Sequence, residues 1–557
     1  MNLLPMSIEA VKAYINTVVV LDDRPRLHAQ AVPEEGIEEP EERPSLAQGL
    51  PVSVGQPVHE STTNTETRSH ELDIKTLVQA FADSGIVCAP IIGVATQMDD
   101  VKKRAVAVAR RADVIVVDWS WGGDDGSKCV KLLDAIAPAG DPGRQQLVII
   151  YTGNDAVSLR ENCEKILVQG LGSPAQDTRT QECLQFAWPL RGLDVVVLQK
   201  PGAAPALSSD SLVEESELPA RIIALFARLR GGILADATMR ALAAVRDGTH
   251  RVLTTFGREH DPAFVVHRAF TVPRAGADDQ VRTLISEAIG DLIADLPSLV
   301  DDSVVREHVK VLLKIRGDEQ PLEEIPRSFQ IEKTKVSDVT VDGLVSGFDG
   351  CETVQKQNRK YLPHITSFLA GQTTESEGAR RQHHFGAVVY ARVNQPGTPP
   401  KLSGGVIVKI KDKYWFCLLP ACDAERIKED GFPFPFARVN ECVDGKKADV
   451  VVNVVGAPDG IAVPHSFSVA KGWEDLCQIK FRPAVPGGPV IAQRNSPDAP
   501  WTFEVCAGTL EVCAGTPATF IGAVRPLIAQ QIVDRFANHG ARIGLMESEY
   551  HRRLRSG

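Results

Sequence analysis

Five short aliphatic runs constrain the fold of this chain more than any other feature of its sequence. Four of them end directly on an acidic, hydroxyl or ammonium side chain. The runs are TVVVLDD (17–23), IVCAPIIG (86–93), DVIVVD (113–118), QLVIIYT (146–152) and DVVVLQK (194–200). Strands that are apolar on both faces are typical of a parallel sheet covered by helices on each side.

Segments with helical spacing of apolar residues lie between these runs. In 71–85, for example, Leu72, Leu77 and Phe81 fall on one face and the pattern stops at Gly85. Similar patterns occupy 99–111, 127–137, about 155–168 and about 213–230. This alternation predicts an α/β domain over 1–230, with a doubly wound five-stranded parallel sheet of the flavodoxin-like kind.

Two segments interrupt this domain. Residues 24–70 are rich in Pro, Glu, Ser and Thr, a composition that buries too little apolar surface to fold, so we expect a disordered acidic insertion. Residues 170–182 (GLGSPAQDTRTQE) are expected to form an extra loop.

The remainder of the chain divides by pattern into three parts. A chain of 557 residues exceeds what one hydrophobic core usually serves. We expect a helical region over 231–370 and a β-rich domain over 371–515, with strands in FGAVVYARV, GGVIVKI and KYWFCLLP. Residues 516–557 are expected to form a C-terminal helix.

Composition excludes several classes of partner. The net charge of −11 argues against a general binder of nucleic acid or anionic membranes, and no apolar run is long enough to span a bilayer. The N-terminus lacks the order of a signal peptide. Eleven scattered cysteines without CxxC pairs are typical of free thiols in a reducing compartment. A cytoplasmic protein is therefore expected.

The polar residues that end the strands should meet, because function gathers at the carboxyl ends of strands in a doubly wound sheet. They are Asp22, Asp23, Asp118, Thr152 and Lys200. Crowded carboxylates repel one another unless a cation lies among them, and Mg²⁺ prefers oxygen ligands. Asp118 would then be a nucleophile able to accept a phosphoryl group, with Thr152 and Lys200 stabilising its oxygens.

This arrangement over residues 14–230 resembles the receiver domain of two-component response regulators. That family has two acids after strand one, a phospho-accepting Asp after strand three, a Thr or Ser after strand four and Lys-Pro after strand five. The resemblance implies Asp118 as phospho-acceptor, with Mg²⁺ held by Asp22, Asp23, Asp118 and the backbone carbonyl of Ser120. It also implies a histidine kinase or another phosphohistidine protein as phosphoryl donor.

The sequence departs from the family at several positions. The 24–70 segment separates the acid pair from its first helix. Val197 stands where the family has its switch aromatic, three residues before the lysine. The family's Lys-Pro bond is often cis, and this would apply here to Lys200–Pro201.

The loop WGGDDGSK (121–128) superficially suggests a phosphate-binding loop. Its spacing is too short and its Ser-Lys order is reversed relative to GxxxxGK[ST], so we do not interpret it as a nucleotide site. Asp124 and Asp125 are instead predicted to form a turn and a helix cap.

The output of such a receiver remains open between three hypotheses. A divergent receiver followed by a long part without motifs resembles the receiver proteins of bacterial antiphage two-component systems of the Detocs type, which implies a regulator or phosphate sink without further catalysis. A receiver-gated effector enzyme would use Cys422, with His383 or His384 as base. The third hypothesis is a scaffold with an unphosphorylated pseudo-receiver. The C-terminal helix leaves a homodimer contact open.

Overall fold

The computed structural model describes most of the chain as two compact units, Met1–Arg240 and Ala241–Gly557. The described residues are 5–23, 25–26, 71–93, 96–137, 146–180, 183–270, 275–315, 341–346, 362–370, 375–392, 398–425, 427–442, 448–454, 463–469, 475–496, 499–507 and 514–542. Nearly all of the 24–70 segment expected to be disordered lies outside them. No described helix is both long and apolar enough to cross a membrane.

The first unit is built on a mostly parallel sheet. Its strands are β1 (Thr17–Asp22), β2 (Pro25–Arg26), β3 (Leu72–Asp73), β4 (Val87–Ile92), β5 (Val114–Val117), β6 (Gln146–Thr152), β7 (Gln176–Thr180), β8 (Cys183–Trp188) and β9 (Leu193–Gln199). The sheet order is β4-β1-β5-β6-β9-β8-β7, while β2 and β3 form a separate parallel pair. The five strands predicted from the aliphatic runs are parallel neighbours, as expected.

Helices cover both faces of this sheet. They are α1 (Pro5–Tyr14), α2 (Ile74–Asp83), α3 (Met98–Ala109), α4 (Ser127–Ile136), α5 (Ala156–Ser158), α6 (Glu164–Leu171) and α7 (Leu218–Arg230). Successive strand residues point to opposite faces. Val19 and Leu21 accordingly pack in the core under α3, α4 and α6, whereas Val18 and Val20 pack in the core under α1, α2 and α7. The doubly wound α/β prediction is confirmed.

The segment 170–182 differs from its prediction as a loop. Residues 176–180 form β7, which pairs with β8 as an antiparallel hairpin, and β8 in turn pairs with β9. The polar QDTRT sequence gives no strand signal of its own, because its pairing depends on the apolar strand that follows it. The hairpin extends the sheet beyond its fifth parallel strand.

Helices follow in the second part of the chain, as predicted. They are α8 (Ile233–Thr255), α9 (Asp261–Phe270), α10 (Ala275–Ala294), α11 (Asp302–Ile315), α12 (Val341–Ser346), α13 (Leu362–Leu369) and α14 (Glu375–Tyr390). The prediction of a strand in FGAVVYARV is wrong for residues 385–390, which form the end of α14. The helix starts in the polar segment before them, and Gly386 packs against Val451.

The β-rich region forms a closed antiparallel barrel with an extension. Its strands are β10 (Val406–Ile410), β11 (Lys413–Cys417), β12 (Phe432–Glu441), β13 (Val450–Val454), β14 (Val463–Val469), β15 (Leu476–Phe481), β16 (Thr502–Ala507) and β17 (Pro517–Ala523), with a short helix α15 (Ala421–Ala424). Pairing of β11 with both β10 and β12 closes the ring, and β14 and β13 extend it from β12. Phenylalanines fill one core, including Phe434, Phe481 and Phe503.

The C-terminal helix begins later than predicted. Helix α16 spans Pro526–Arg542, whereas Pro517–Ala523, inside the predicted helical range 516–557, is the last strand of the barrel. The alternating burial of that strand shows a period of two, and Pro526 suits the first turn of the helix because it needs no N–H donor there.

The candidate phosphoryl-acceptor site

Four of the predicted site residues lie at neighbouring strand ends. Asp22 ends β1, Asp118 follows β5, Thr152 ends β6 and Lys200 follows β9. The register aligns these ends, with Leu21 opposite Val117 and Thr152 opposite Gln199. The parallel sheet therefore brings the predicted residues to one edge.

Lys200 binds the two buried acids. Its Nζ lies 2.8 Å from Asp22 Oδ2 and 3.1 Å from Asp118 Oδ1. All three residues are buried; Lys200 is 1% exposed and both acids are 4% exposed. Nζ also lies 5.9 Å from the centroid of the Tyr151 ring. A buried charge is tolerated when an opposite charge compensates it, and this ammonium group compensates two carboxylates.

The two oxygens of Asp118 have different surroundings. Oδ2 accepts a hydrogen bond from the backbone N–H of Ser120 at 3.1 Å. Oδ1 receives no hydrogen bond of acceptable geometry from the described residues, although Lys200 Nζ is near. One buried carboxylate oxygen therefore retains lone pairs for a ligand or an electrophile.

The pKa of Asp118 is raised from its ordinary value of 3.8 to about 7. Burial is the largest cause; Lys200 lowers this pKa, while the charges of Asp22 and Asp23 raise it. Burial lowers the pKa of Lys200, but Asp118 and Asp22 raise it and the net shift is upward. The lysine therefore stays cationic at neutral pH, where Asp118 is poised between its two forms.

The loop after Asp118 is held by hydrogen bonds to Asp23, which directly follows β1, and by its own Asp124 and Trp121. Trp121 is fully buried, and its Nε1 donates to the Asp118 carbonyl at 2.9 Å. Asp23 Oδ2 accepts a hydrogen bond from Gly122 N at 2.5 Å. Asp124 Oδ1 accepts from Trp121 N at 2.8 Å, so the loop is rigidly tied to the acid it follows.

The same loop leads directly into α4. Asp124 Oδ2 accepts from Lys128 N at 2.9 Å and Asp125 Oδ1 from Ser127 N at 3.1 Å, so both acids bind N–H groups of the first helical turn, although the residue at the N-cap position is Gly126. Gly126 adopts a φ of +101°, and a Cβ there would lie 2.1 Å from the ring of Trp119. Only glycine satisfies both the backbone conformation and this close approach.

Thr152 is fully buried and is hydrogen-bonded to Asn154. Its Oγ1 donates to Asn154 Oδ1 at 2.8 Å and accepts from Asn154 N at 3.2 Å. The Thr152 carbonyl accepts from Lys200 N at 2.7 Å, which joins the ends of β6 and β9. Asn154 was not among the residues predicted for the site, because its contact with Thr152 depends on the turn that follows β6.

Comparison with protein families identifies this region. Residues 14–201, about a third of the chain, match the family model of the response receiver domain. The chain contains a receiver domain. No curated protein and no solved structure matches the chain significantly. The matched range includes all six residues predicted for the site, from Asp22 to Lys200.

The Mg²⁺ ligands expected from the resemblance, Asp22, Asp23, Asp118 and the Ser120 carbonyl, are all oxygen donors. No three His, Cys, Asp or Glu side chains in the described part of the chain gather around a common point, and the Lys200 ammonium contacts both Asp22 and Asp118. Mg²⁺ usually binds through one or two carboxylates and keeps several waters, so such a cluster is not required. The Asp118 Oδ1 atom without a hydrogen bond fits a ligand of this kind.

Two family features differ in this receiver domain. Val197 stands at the position of the switch aromatic, and valine has no ring that could reorient. Its side chain is 1% exposed and packs in the core. Among the described residues the cis peptide bond is Ala204–Pro205, and the family-based expectation for Lys200–Pro201 is wrong.

The residues considered for an effector activity have other surroundings. His383, on α14, is hydrogen-bonded through Nε2 to the hydroxyl of Ser466, which is 1% exposed. Burial lowers the pKa of His383, and His384 and His465 lower it further. Cys422 lies in the short helix α15, and its side chain falls outside the described structure. The described contacts give His383 a structural partner rather than an accessible nucleophile.

Proposed function

We propose that Asp118 accepts a phosphoryl group from a phosphohistidine of a partner histidine kinase. The observation that supports this most directly is the buried contact of Lys200 with both Asp22 and Asp118, within a receiver domain. A lysine fixed at this place can neutralise charge on an incoming phosphoryl group, which is the main requirement of phosphoryl transfer.

The proposed step forms one bond and breaks one. Asp118 Oδ1 attacks phosphorus as the P–N bond of phosphohistidine breaks. The electron pair of that bond stays on the imidazole nitrogen, and the ring leaves as neutral imidazole with its proton on the other ring nitrogen. The product is an aspartyl phosphate. Lys200 Nζ, 3.1 Å from Oδ1, and the Thr152 hydroxyl would stabilise the phosphoryl oxygens.

Asp22, Asp23, Asp118 and the Ser120 carbonyl would hold Mg²⁺. When bound, the ion would supply positive charge to the phosphoryl oxygens and offset repulsion among the acids. The chain's own contribution is to place the acids: β1 and β5 set Asp22 and Asp118, and the Gly122 N–H orients Asp23.

As a signalling component, the domain would act as a regulator or phosphate sink in a cytoplasmic two-component system. An antiphage system of the Detocs type is the specific setting that we propose from the sequence resemblance. The described cysteines are free thiols, which supports a reducing compartment. A sink would drain label from a phosphorylated kinase and release inorganic phosphate by hydrolysis of the aspartyl phosphate.

The test is phosphorylation of the full chain by acetyl phosphate with Mg²⁺, measured by intact mass. Asp118→Asn should abolish the added phosphoryl mass, whereas Asp125→Asn should retain it, because Asp125 is an exposed loop acid outside the proposed site. Transfer from a labelled cognate histidine kinase forms the second arm. Absence of modification in both arms would refute the proposal and favour the scaffold.

A further inference from the structure

A buried polar network connects the site to the segment after β9. Its centre is Gln199, which is fully buried and immediately precedes Lys200. Its Nε2 donates to the Asn154 carbonyl at 2.8 Å. Its Oε1 accepts from Leu207 N at 2.5 Å and from Ser211 Oγ at 3.0 Å. The NH₂ group of this amide therefore binds Asn154, the partner of Thr152, and its oxygen binds residues of segment 201–213.

The Thr152 hydroxyl, at one end of this network, cannot donate hydrogen bonds to two acceptors at once. A hydroxyl has a single proton, and that of Thr152 is donated to Asn154 Oδ1. If the Thr152 hydroxyl turns toward a phosphoryl oxygen on Asp118, Asn154 Oδ1 loses this donor. Loss of this bond would free the Asn154 side chain. The backbone carbonyl of the same residue accepts the hydrogen bond from Gln199 Nε2, so a movement of Asn154 would affect Gln199.

Segment 201–213 is held on the domain by hydrogen bonds and by the buried side chains of Leu207 and Val213, which pack in the cores on the two faces of the sheet. The Pro205 carbonyl accepts from Ala156 N at 2.8 Å, and the Val213 carbonyl accepts from Tyr151 Oη at 2.6 Å. The backbone N–H of Gln199 donates to the Ser211 carbonyl at 2.7 Å. Gln199 therefore contacts the segment through its side chain, at Leu207 and Ser211, as well as through its backbone.

We propose that Gln199 is a positioning residue that couples Thr152, through Asn154, to segment 201–213, so that phosphorylation of Asp118 loosens this segment. The inference rests on the proposed function of Asp118. The coupling through Gln199 would take the place of a switch aromatic, which the buried Val197 cannot provide. Segment 201–213 becomes the element whose conformation reports the phosphorylated state.

Hydrogen exchange with mass spectrometry on the full chain tests the coupling. With acetyl phosphate and Mg²⁺, peptides covering 201–213 should exchange roughly fivefold faster, the change that loss of one intramolecular hydrogen bond allows. In Gln199→Met the phosphoryl mass should still appear, but exchange of the segment should no longer depend on it. Ser211→Ala removes the bond from the Ser211 hydroxyl to Gln199, together with the contacts of that hydroxyl with Ser208, and should reduce the dependence. This variant provides the test if Gln199→Met does not fold.

Gln146→Met is the matched control. Gln146 is also buried and its Nε2 also donates to a backbone carbonyl, that of Ala109, but it lies at the start of β6, at the opposite end from Thr152. This variant should keep the phosphorylation-dependent exchange.

The outcomes separate the two proposals. No added mass would overturn the proposed function together with the coupling. Added mass without a change in exchange would overturn the coupling alone. A phosphorylation-dependent change that persists in Gln199→Met would assign the coupling to another route and overturn the role of Gln199.

Discussion

Replacing Asp118 by Asn should stabilise the receiver domain, and the gain should grow with pH. The folded protein raises the pKa of Asp118 from 3.8 to about 7, chiefly through burial. An acid with a raised folded pKa contributes stability that is complete below its unfolded pKa and is lost as the pH rises through the folded pKa. The asparagine carries no such penalty.

The expected size follows from the two pKa values. Each pH unit between them costs about 1.4 kcal/mol of stability, because the unfolded chain has released a proton that the folded one still binds. From about pH 5.5 to about pH 8.5, the advantage of Asp118→Asn should rise by about 2 kcal/mol, since the cost stops growing above the folded pKa. Lys200 does not titrate in this window, because its pKa is raised above its ordinary value.

The assay must report on the first unit alone, because a chain of two compact units need not unfold in one step. Hydrogen exchange of peptides covering β5 and β6, in EDTA, gives local opening free energies for both proteins at matched pH, so that intrinsic exchange rates cancel. Addition of Mg²⁺ should shrink the difference, as a bound cation favours the charged acid. An Asn advantage that is equal at the two pH values would refute the reasoning and mean that Lys200 outweighs burial.

Two further substitutions and one segment replacement test the site and its surroundings. Lys200→Met leaves Asp22 and Asp118 buried without their shared ammonium and should cost about 3–5 kcal/mol in local opening and abolish acetyl-phosphate labelling; wild-type opening energies would contradict the compensation argument. Gly126→Ala should cost about 1–3 kcal/mol and perturb near-ultraviolet circular dichroism, since φ is +101° and the Trp119 ring is in the way; an unchanged spectrum would contradict the close approach. Replacing residues 27–70 by a short Gly-Ser linker should leave labelling of Asp118 within about twofold, because Pro25–Arg26 and Leu72–Asp73 already pair side by side; lost labelling would assign this segment a role in the site.

The strand-end residues were predictable because each follows a run of buried aliphatic side chains. Asp118 and Thr152 needed only the rule that parallel strands end at one edge. The hairpin of β7 and β8 was not predictable, since QDTRT becomes a strand only by pairing with β8. The end of α14 was misassigned because FGAVVY suits a strand locally but continues a helix begun earlier.

The network of Gln199 shows a different limit. A glutamine at the end of an aliphatic run signals a buried amide, but its partners lie in the turn after β6 and in residues 201–213. These partners are set by how the chain folds back over the strand ends. Residue type can indicate that such a group needs partners, whereas only the structure identifies them.

The hairpin of β7 and β8 also determines which strand forms one edge of the sheet. The outermost described strands are β4, which contains Pro90, and β7. Proline lacks an N–H to donate to a neighbouring strand, so the row of backbone donors along β4 is interrupted at Pro90. Lengthening of the sheet by a second chain is therefore disfavoured at the β4 border.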